Sequence, residues 1–148
     1  MKTLFAISLL FVSLSANARN IEREFEKWLT TLPEANADWG AYPDNYEEVI
    51  KGYFAASLKD PSSVIYNAIS KPQKEFTIKG RVPVDPKNEA LYGYSSCVSF
   101  NAKNSYGGYV GNRVFWFLIH NGEIVNVIDT STGRNFIFVG RPITCGVH

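Results

Sequence analysis

Asparagine, lysine, tyrosine and glycine are concentrated in one short segment, Asn101–Gly111, whose side chains are suited to binding chemistry. Asparagine and glycine permit tight backbone turns, tyrosine offers a rigid amphipathic surface, and the single lysine adds one positive charge. This composition is typical of a recognition loop, but it also fits a plain hairpin connection whose glycines supply positive φ angles, and both interpretations stay open. The candidate binding residues are Asn101, Lys103, Asn104, Tyr106 and Tyr109, with Trp116 in the strand that follows.

Residues that could carry catalysis do not form a recognisable set. The chain has no G-x-S-x-G elbow, no H-E-x-x-H pair and no phosphate-binding glycine loop followed by lysine and serine or threonine. His120 is expected at a hairpin tip as a solvated turn residue, and together with His148 it supplies too few ligands for a metal site. The sequence therefore predicts a protein that is not an enzyme and that holds no metal or other cofactor.

The only two cysteines are Cys97 and Cys145, and we expect them to form one intramolecular disulfide if the protein is exported. Free or intermolecular thiols are the alternative. A bridge that closes 48 residues would stabilise the fold by roughly 4 kcal/mol in the chain-entropy model. It would hold a C-terminal segment that is too short to build its own core.

Residues 1–18 have the three-part organisation of a secretory signal peptide. Lys2 is followed by an apolar stretch from Leu4 to Leu14 that is too short to span a bilayer, and then by Ala16-Asn17-Ala18. A buried N-terminal helix is the competing interpretation. We expect cleavage between Ala18 and Arg19, a periplasmic or secreted mature protein, and no membrane span or lipid anchor, because no cysteine lies near the cut.

The mature chain, residues 19–148, is expected to be one globular domain without a charged surface bias. Loss of Lys2 reduces the 15 lysines and arginines to 14, which equals the 14 acidic residues. A general electrostatic attraction to nucleic acid is therefore not supported.

Two helices are predicted in the N-terminal part. The apolar spacing over Ile21–Leu32 predicts the first, and a capping box formed by Asp44 and Glu47 is expected to start the second. Gly52 interrupts the second helix and is expected to mark close packing. The buried face of the second helix should carry Tyr46, Val49, Ile50, Tyr53, Phe54 and Leu58.

The remainder of the chain is predicted to form strands and turns. The run Val114–Ile119, then Asn121-Gly122, then Ile124–Ile128 predicts a β-hairpin with a type I′ turn. We expect an α+β fold in which the two helices precede an antiparallel meander of four to six strands. The other predicted strands are Val64–Ile69, Phe76–Lys79, Ser95–Asn101 and Asn135–Val139, with a loop at Val82–Asn88.

Two short motifs resemble those of a loosely defined group of small exported proteins and lipoproteins of Gram-negative bacteria and their phages. These motifs are L-K-D-P-S at Leu58–Ser62 and N-x-K-N-x-x-G-x-Y-x-G at Asn101–Gly111, and the resemblance covers roughly residues 53–115. It implies a periplasmic or envelope setting, but the group has no settled activity to transfer. The chain departs from the lipoprotein members because it lacks the lipidated cysteine.

These observations favour a periplasmic binding or inhibitor-like module, such as an immunity protein, that recognises another envelope protein. One alternative is an enzyme or binding protein that acts on peptidoglycan or another glycan. In that case Tyr106, Tyr109 and Trp116 would stack on sugar rings while Asn101 and Asn104 donated or accepted hydrogen bonds. A structural envelope protein is the third possibility.

Overall fold

The computed structural model describes residues 18–79, 89–133, 135–138 and 140–146. All but the last residue of the predicted signal peptide, the predicted loop at Val82–Asn88, and His148 lie outside these ranges. Within them the chain forms two helices, a five-stranded antiparallel sheet and a two-stranded sheet, which confirms the α+β class. The helices are α1 (18–29) and α2 (Tyr46–Ser57), and the strands are β1 (Ile65–Ile69), β2 (Gln73–Lys79), β3 (Glu89–Asn101), β4 (Arg113–His120), β5 (Glu123–Asp129), β6 (Phe136–Phe138) and β7 (Arg141–Pro142).

The first two strands do not pair with each other as a simple meander would require. Both pair with β3, β1 along Val98–Asn101 and β2 along Glu89–Ser95, so they follow one another along the same edge. At the break, the Ser70 amide donates to the Cys97 carbonyl and the Ser70 hydroxyl accepts from the Cys97 amide, both at 2.8 Å. These bonds continue the ladder across the predicted turn, which is why the chain carries on along β3 instead of folding back.

The predicted hairpin between β4 and β5 is confirmed. Asn121 and Gly122 occupy its turn with φ angles of 49° and 79°, as a type I′ turn requires. The backbones of β3 and β4 approach closely at Gly93, where an added Cβ atom would stand 2.4 Å from the Ile119 carbonyl oxygen. Only glycine therefore lets β3 pass the end of β4 at this point.

Helix α2 covers one face of the sheet. Its Ile50 and Phe54 are fully buried, and the Phe54 ring lies 4.4 Å from that of Phe100 and 5.7 Å from that of Phe117. The six residues predicted for the buried face of this helix all contribute to the same cluster. This packing stabilises a helix that is too short to be stable alone.

The start of α2 differs from the predicted capping box. Asn45 is the N-cap and makes no side-chain capping bond, while the Glu47 carboxylate pairs with Lys51 at 3.0 Å. The chain enters the helix through a turn in which the Tyr46 amide donates to the Pro43 carbonyl, so Asp44 does not stand at the cap position. Gly52 faces open space rather than a close neighbour, so its predicted packing role is also wrong.

The C-terminal segment covers the opposite face of the sheet. Cys97, Trp116, Leu118 and Ile137 form a second buried cluster, with Cys145 packed against it. Cys97 and Cys145 form the predicted disulfide, with their Cα atoms 5.7 Å apart. Val98 and Phe100, on the same strand as Cys97, lie in the cluster beneath α2, so β3 is covered on both faces.

The segment between the two helices, residues 30–45, packs against β3 at Tyr92 and Tyr94. The Trp39 ring packs edge-on against Tyr92 at 5.1 Å, and the Tyr42 ring packs against Tyr94 at 5.2 Å. The Ala41 amide donates to the Asn121 side-chain oxygen at 2.9 Å. His120 is therefore not a solvated turn residue, because its Nδ1 lies 3.0 Å from the Tyr92 carbonyl oxygen and its Nε2 lies 3.1 Å from the Asn121 amide nitrogen.

Removal of the disulfide should destabilise the fold without changing its topology. Replacement of both Cys97 and Cys145 by serine is expected to lower the free energy of unfolding by up to about 4 kcal/mol, since the unfolded chain regains the entropy of an open loop. Urea unfolding followed by tryptophan fluorescence measures this difference. Equal unfolding midpoints for the oxidised wild type and the variant would contradict the structural role.

Asp129 couples the stability of the β4–β5 pair to pH. Burial acts to raise the pKa of Asp129, but hydrogen bonds from Ser131 and the Arg113 guanidinium outweigh it and hold the pKa below its ordinary value of 3.8. Because the folded-state pKa is lowered, this stabilisation is present above about pH 4 and is lost as the pH falls through the folded-state value.

An Asp129→Asn variant tests this pH dependence, since it keeps a side-chain oxygen for the Ser131 amide but loses the charge. We expect it to be less stable than the wild type by about 0.5–1 kcal/mol at neutral pH, because the pair with Arg113 is only partly buried. Urea unfolding at a series of pH values should show the difference shrinking toward pH 2. If the difference in free energy of unfolding between variant and wild type were the same at every pH, the stabilisation would not come from the charge of Asp129.

Candidate binding site

The predicted recognition loop joins β3 to β4 and carries the most exposed aromatic side chain among the exposed large hydrophobic residues of the described chain. Tyr106 is 96% exposed, Tyr109 is 48% exposed and Val110 is 51% exposed. Large apolar side chains are usually buried in a folded protein, so this neighbouring exposed set defines the candidate surface. We refer to residues 102–112 as the tyrosine loop.

Asn104 fixes the turn at the tip of the tyrosine loop. Its side-chain oxygen accepts from the amides of Tyr106 at 2.9 Å and Gly108 at 3.1 Å. Its own amide donates to the Gly108 carbonyl at 2.8 Å, and its carbonyl accepts from the Gly107 amide at 3.0 Å. The tip is therefore a closed turn, and the Asn104 side-chain oxygen is engaged within it rather than offered to a ligand.

The base of the tyrosine loop continues the β3–β4 ladder. Lys103 and Tyr109 form an antiparallel bridge, and the Val110 amide donates to the Ala102 carbonyl at 3.3 Å. The Lys103 ammonium lies 5.5 Å from the centre of the Tyr109 ring, where a cation is attracted by the face of the aromatic system. Ala102 is buried in the core beneath α2, so the loop is anchored from below.

The L-K-D-P-S motif and the Ser63 residue that follows it support the tyrosine loop from the side. The Ser63 hydroxyl accepts from the Lys103 amide at 3.0 Å and donates to the Asp60 carbonyl at 2.8 Å. The Lys59 ammonium donates to the Ser105 hydroxyl at 3.0 Å. The two motifs quoted for the resemblance are thus in direct contact, a link that sequence reasoning missed although the two motifs occur together.

Two of the predicted binding residues, Trp116 and Asn101, do not share the exposed surface of the tyrosine loop. Trp116 is only 3% exposed and packs in the disulfide cluster, because its position on β4 opposite Cys97 turns it to the face that the C-terminal segment covers. Asn101 ends β3 opposite Ile65 and is partly buried. Its side-chain oxygen has no hydrogen-bond partner among the described residues.

The tyrosine loop itself carries one cation and no carboxylate. No acidic residue occurs from Asn101 to Asn112, and the exposed cations are Lys59 and Lys103. The neighbouring Asp60 carboxylate accepts from the Ser62 hydroxyl at 2.6 Å. The surface therefore combines tyrosine rings with two ammonium groups.

The described part of the chain holds no free thiol, no metal-binding cluster of side chains and no helix suited to crossing a membrane. Both cysteines are joined in the disulfide, and no group of three histidine, cysteine, aspartate or glutamate side chains is arranged to hold a metal ion there. In that same part, no helix has the length and apolar character to cross a membrane. Comparison with known proteins adds no further guide, since the chain matches no family model, no curated protein and no solved structure.

The role of Asn104 predicts a local effect of its removal. Asn104→Ala should speed hydrogen exchange at the Tyr106 and Gly108 amides, since both lose their acceptor, and should cost about 1 kcal/mol of stability or less because the site is exposed. Asn104→Asp keeps a side-chain oxygen and should restore slow exchange. Unchanged exchange in the alanine variant would show that the turn is held by other contacts.

Proposed function

We propose that this protein is an exported module that binds another protein of the bacterial envelope through its tyrosine loop. The observation that carries the proposal is the exposure of Tyr106 at 96% on a turn that four hydrogen bonds at Asn104 hold in place. Holding a large apolar ring in water gains nothing for the fold, whereas a pre-ordered tyrosine binds with little loss of conformational entropy.

The contacts at the base of the loop support protein recognition. Tyrosine is enriched among residues that dominate protein interfaces, and such residues act best when neighbouring groups hold them rigidly. The bonds from Ser63 and Lys59 to the loop provide that rigidity. Stacking on a glycan receives less support, because Trp116 is buried and the Asn104 oxygen is already engaged.

The setting of this function is the periplasm or the cell exterior. The signal-like residues 1–18, the disulfide between Cys97 and Cys145, and the resemblance to small exported proteins of Gram-negative bacteria and phages support this part of the proposal. A stoichiometric inhibitor or immunity protein fits a compact exported domain of this kind. Its partner would be an envelope protein rather than nucleic acid.

Substitution of Tyr106 tests the proposal. Envelope extract is passed over the immobilised wild type, Tyr106→Ala and Tyr42→Ala, and the affinity of each for the retained protein is then measured with that protein purified. Tyr42 is the matched control, because it is an exposed tyrosine that lies outside the tyrosine loop and packs against Tyr94 of β3. We expect Tyr106→Ala to weaken binding at least thirtyfold, as for an interface residue worth about 2 kcal/mol.

The stability of the variants separates a binding role from a structural one. Tyr106→Ala should unfold within about 0.5 kcal/mol of the wild type, since an exposed side chain contributes little to the fold. Equal affinities of Tyr106→Ala and the wild type, or a loss of affinity accompanied by a large loss of stability, would contradict the proposal.

A further inference from the structure

A shallow groove lies beside β2, away from the tyrosine loop. It has a volume of about 390 Å³, within the range of small-ligand sites. Phe76 of β2 and Phe138 of β6 stand side by side in it with ring centres 5.5 Å apart. Its apolar walls are formed by Leu32, Pro33, Trp39, Phe76 and Phe138.

The Trp39 wall of this groove is held by hydrogen bonds of the adjacent backbone and by ring packing on β3. The Gly40 amide donates to the Asp38 carboxylate at 2.9 Å, and the Ala41 amide donates to the Asn121 side chain at 2.9 Å. The ring itself packs against Tyr92 at 5.1 Å. The wall is thus formed before any ligand arrives, which lowers the entropy lost on binding.

Among the described residues that line the groove, Arg141 and Lys74 carry the positive charges, and they differ in their partners. Arg141 lies in it but donates to both oxygens of the Glu75 carboxylate, at 2.8 and 2.9 Å, so these two charges compensate each other. Lys74 lies over the Trp39 ring at 5.4 Å, and no carboxylate of the described residues forms an ion pair with it. An apolar groove with a single uncompensated ammonium at its edge is complementary to a molecule with an apolar body and one negative group.

We propose that this groove binds a free anionic amphiphile, a medium-length acyl chain that ends in a carboxylate. The chain would lie against Phe76, Phe138 and Leu32, where burial of each methylene group is favourable. The carboxylate would meet the Lys74 ammonium beside Trp39. Because the groove lies along the half of β3 that pairs with β2, this site is separate from the tyrosine loop and does not depend on the function proposed for it.

Calorimetric titration of the purified disulfide-bonded protein with decanoate, below its micelle concentration, tests the proposal. We expect saturable one-to-one binding that Lys74→Gln weakens about tenfold, the factor for a lost charge-assisted contact of about 1.4 kcal/mol. Lys79→Gln is the matched control, because Lys79 is an exposed lysine on the same strand that does not line the groove. Decyltrimethylammonium, with the same chain and the opposite charge, should bind at least tenfold more weakly than decanoate.

The Trp39 indole provides a second readout that does not depend on a variant. Its N–H resonance should shift with decanoate concentration along the same saturation curve as the calorimetric signal. Equal affinity for the two amphiphiles, equal affinity of Lys74→Gln and the wild type, or absence of saturable decanoate binding would each overturn the proposal. Binding only to vesicles of anionic lipid would also overturn it, because the groove would then meet a membrane surface rather than a free acyl chain.

Discussion

Both faces of the paired strands β3 and β4 carry apolar side chains, and the structure depends on covering each face. Val98, Phe100 and Phe117 require one cover, and Cys97, Trp116 and Leu118 require another. Helix α2 supplies the first with two fully buried side chains. The second comes from a segment with strands of only three and two residues, too little to hold itself in place. The disulfide between Cys97 and Cys145 resolves this difficulty, because it ties the segment to the strand that it must protect.

The two features that we propose as binding sites lie at opposite halves of β3, the longest strand of the sheet. The tyrosine loop extends beyond the C-terminal end of β3, where Ala102 is held beneath α2 and Ser63 holds Lys103. The aromatic groove lies beside the N-terminal half, where Trp39 packs on Tyr92. Each therefore consists of exposed groups fixed by contacts with the covered core, an arrangement that favours binding over motion.

Local signals in the sequence predicted much of this architecture, and long-range contacts explain the rest. Asn121-Gly122 specified its turn because few residues accept two positive φ angles, and the predicted strand Ser95–Asn101 lies within the longer β3. The continuation of β1 into β2 was missed because it rests on the Ser70 hydroxyl acting within the ladder, and Trp116 was placed on the surface because its cover arrives 21 residues later with Ile137. The tyrosine loop was found from composition, but its support by Lys59 and Ser63 required the tertiary structure.

We propose that the tyrosine loop is where this protein contacts its partner. Amide hydrogen exchange of the disulfide-bonded protein, measured alone and with the purified partner retained from envelope extract, tests it most directly. We expect slower exchange in the complex for residues 103–110, with the amides of β4 and α2 unchanged. Slower exchange elsewhere, with residues 103–110 exchanging as fast as in the unbound protein, would contradict it.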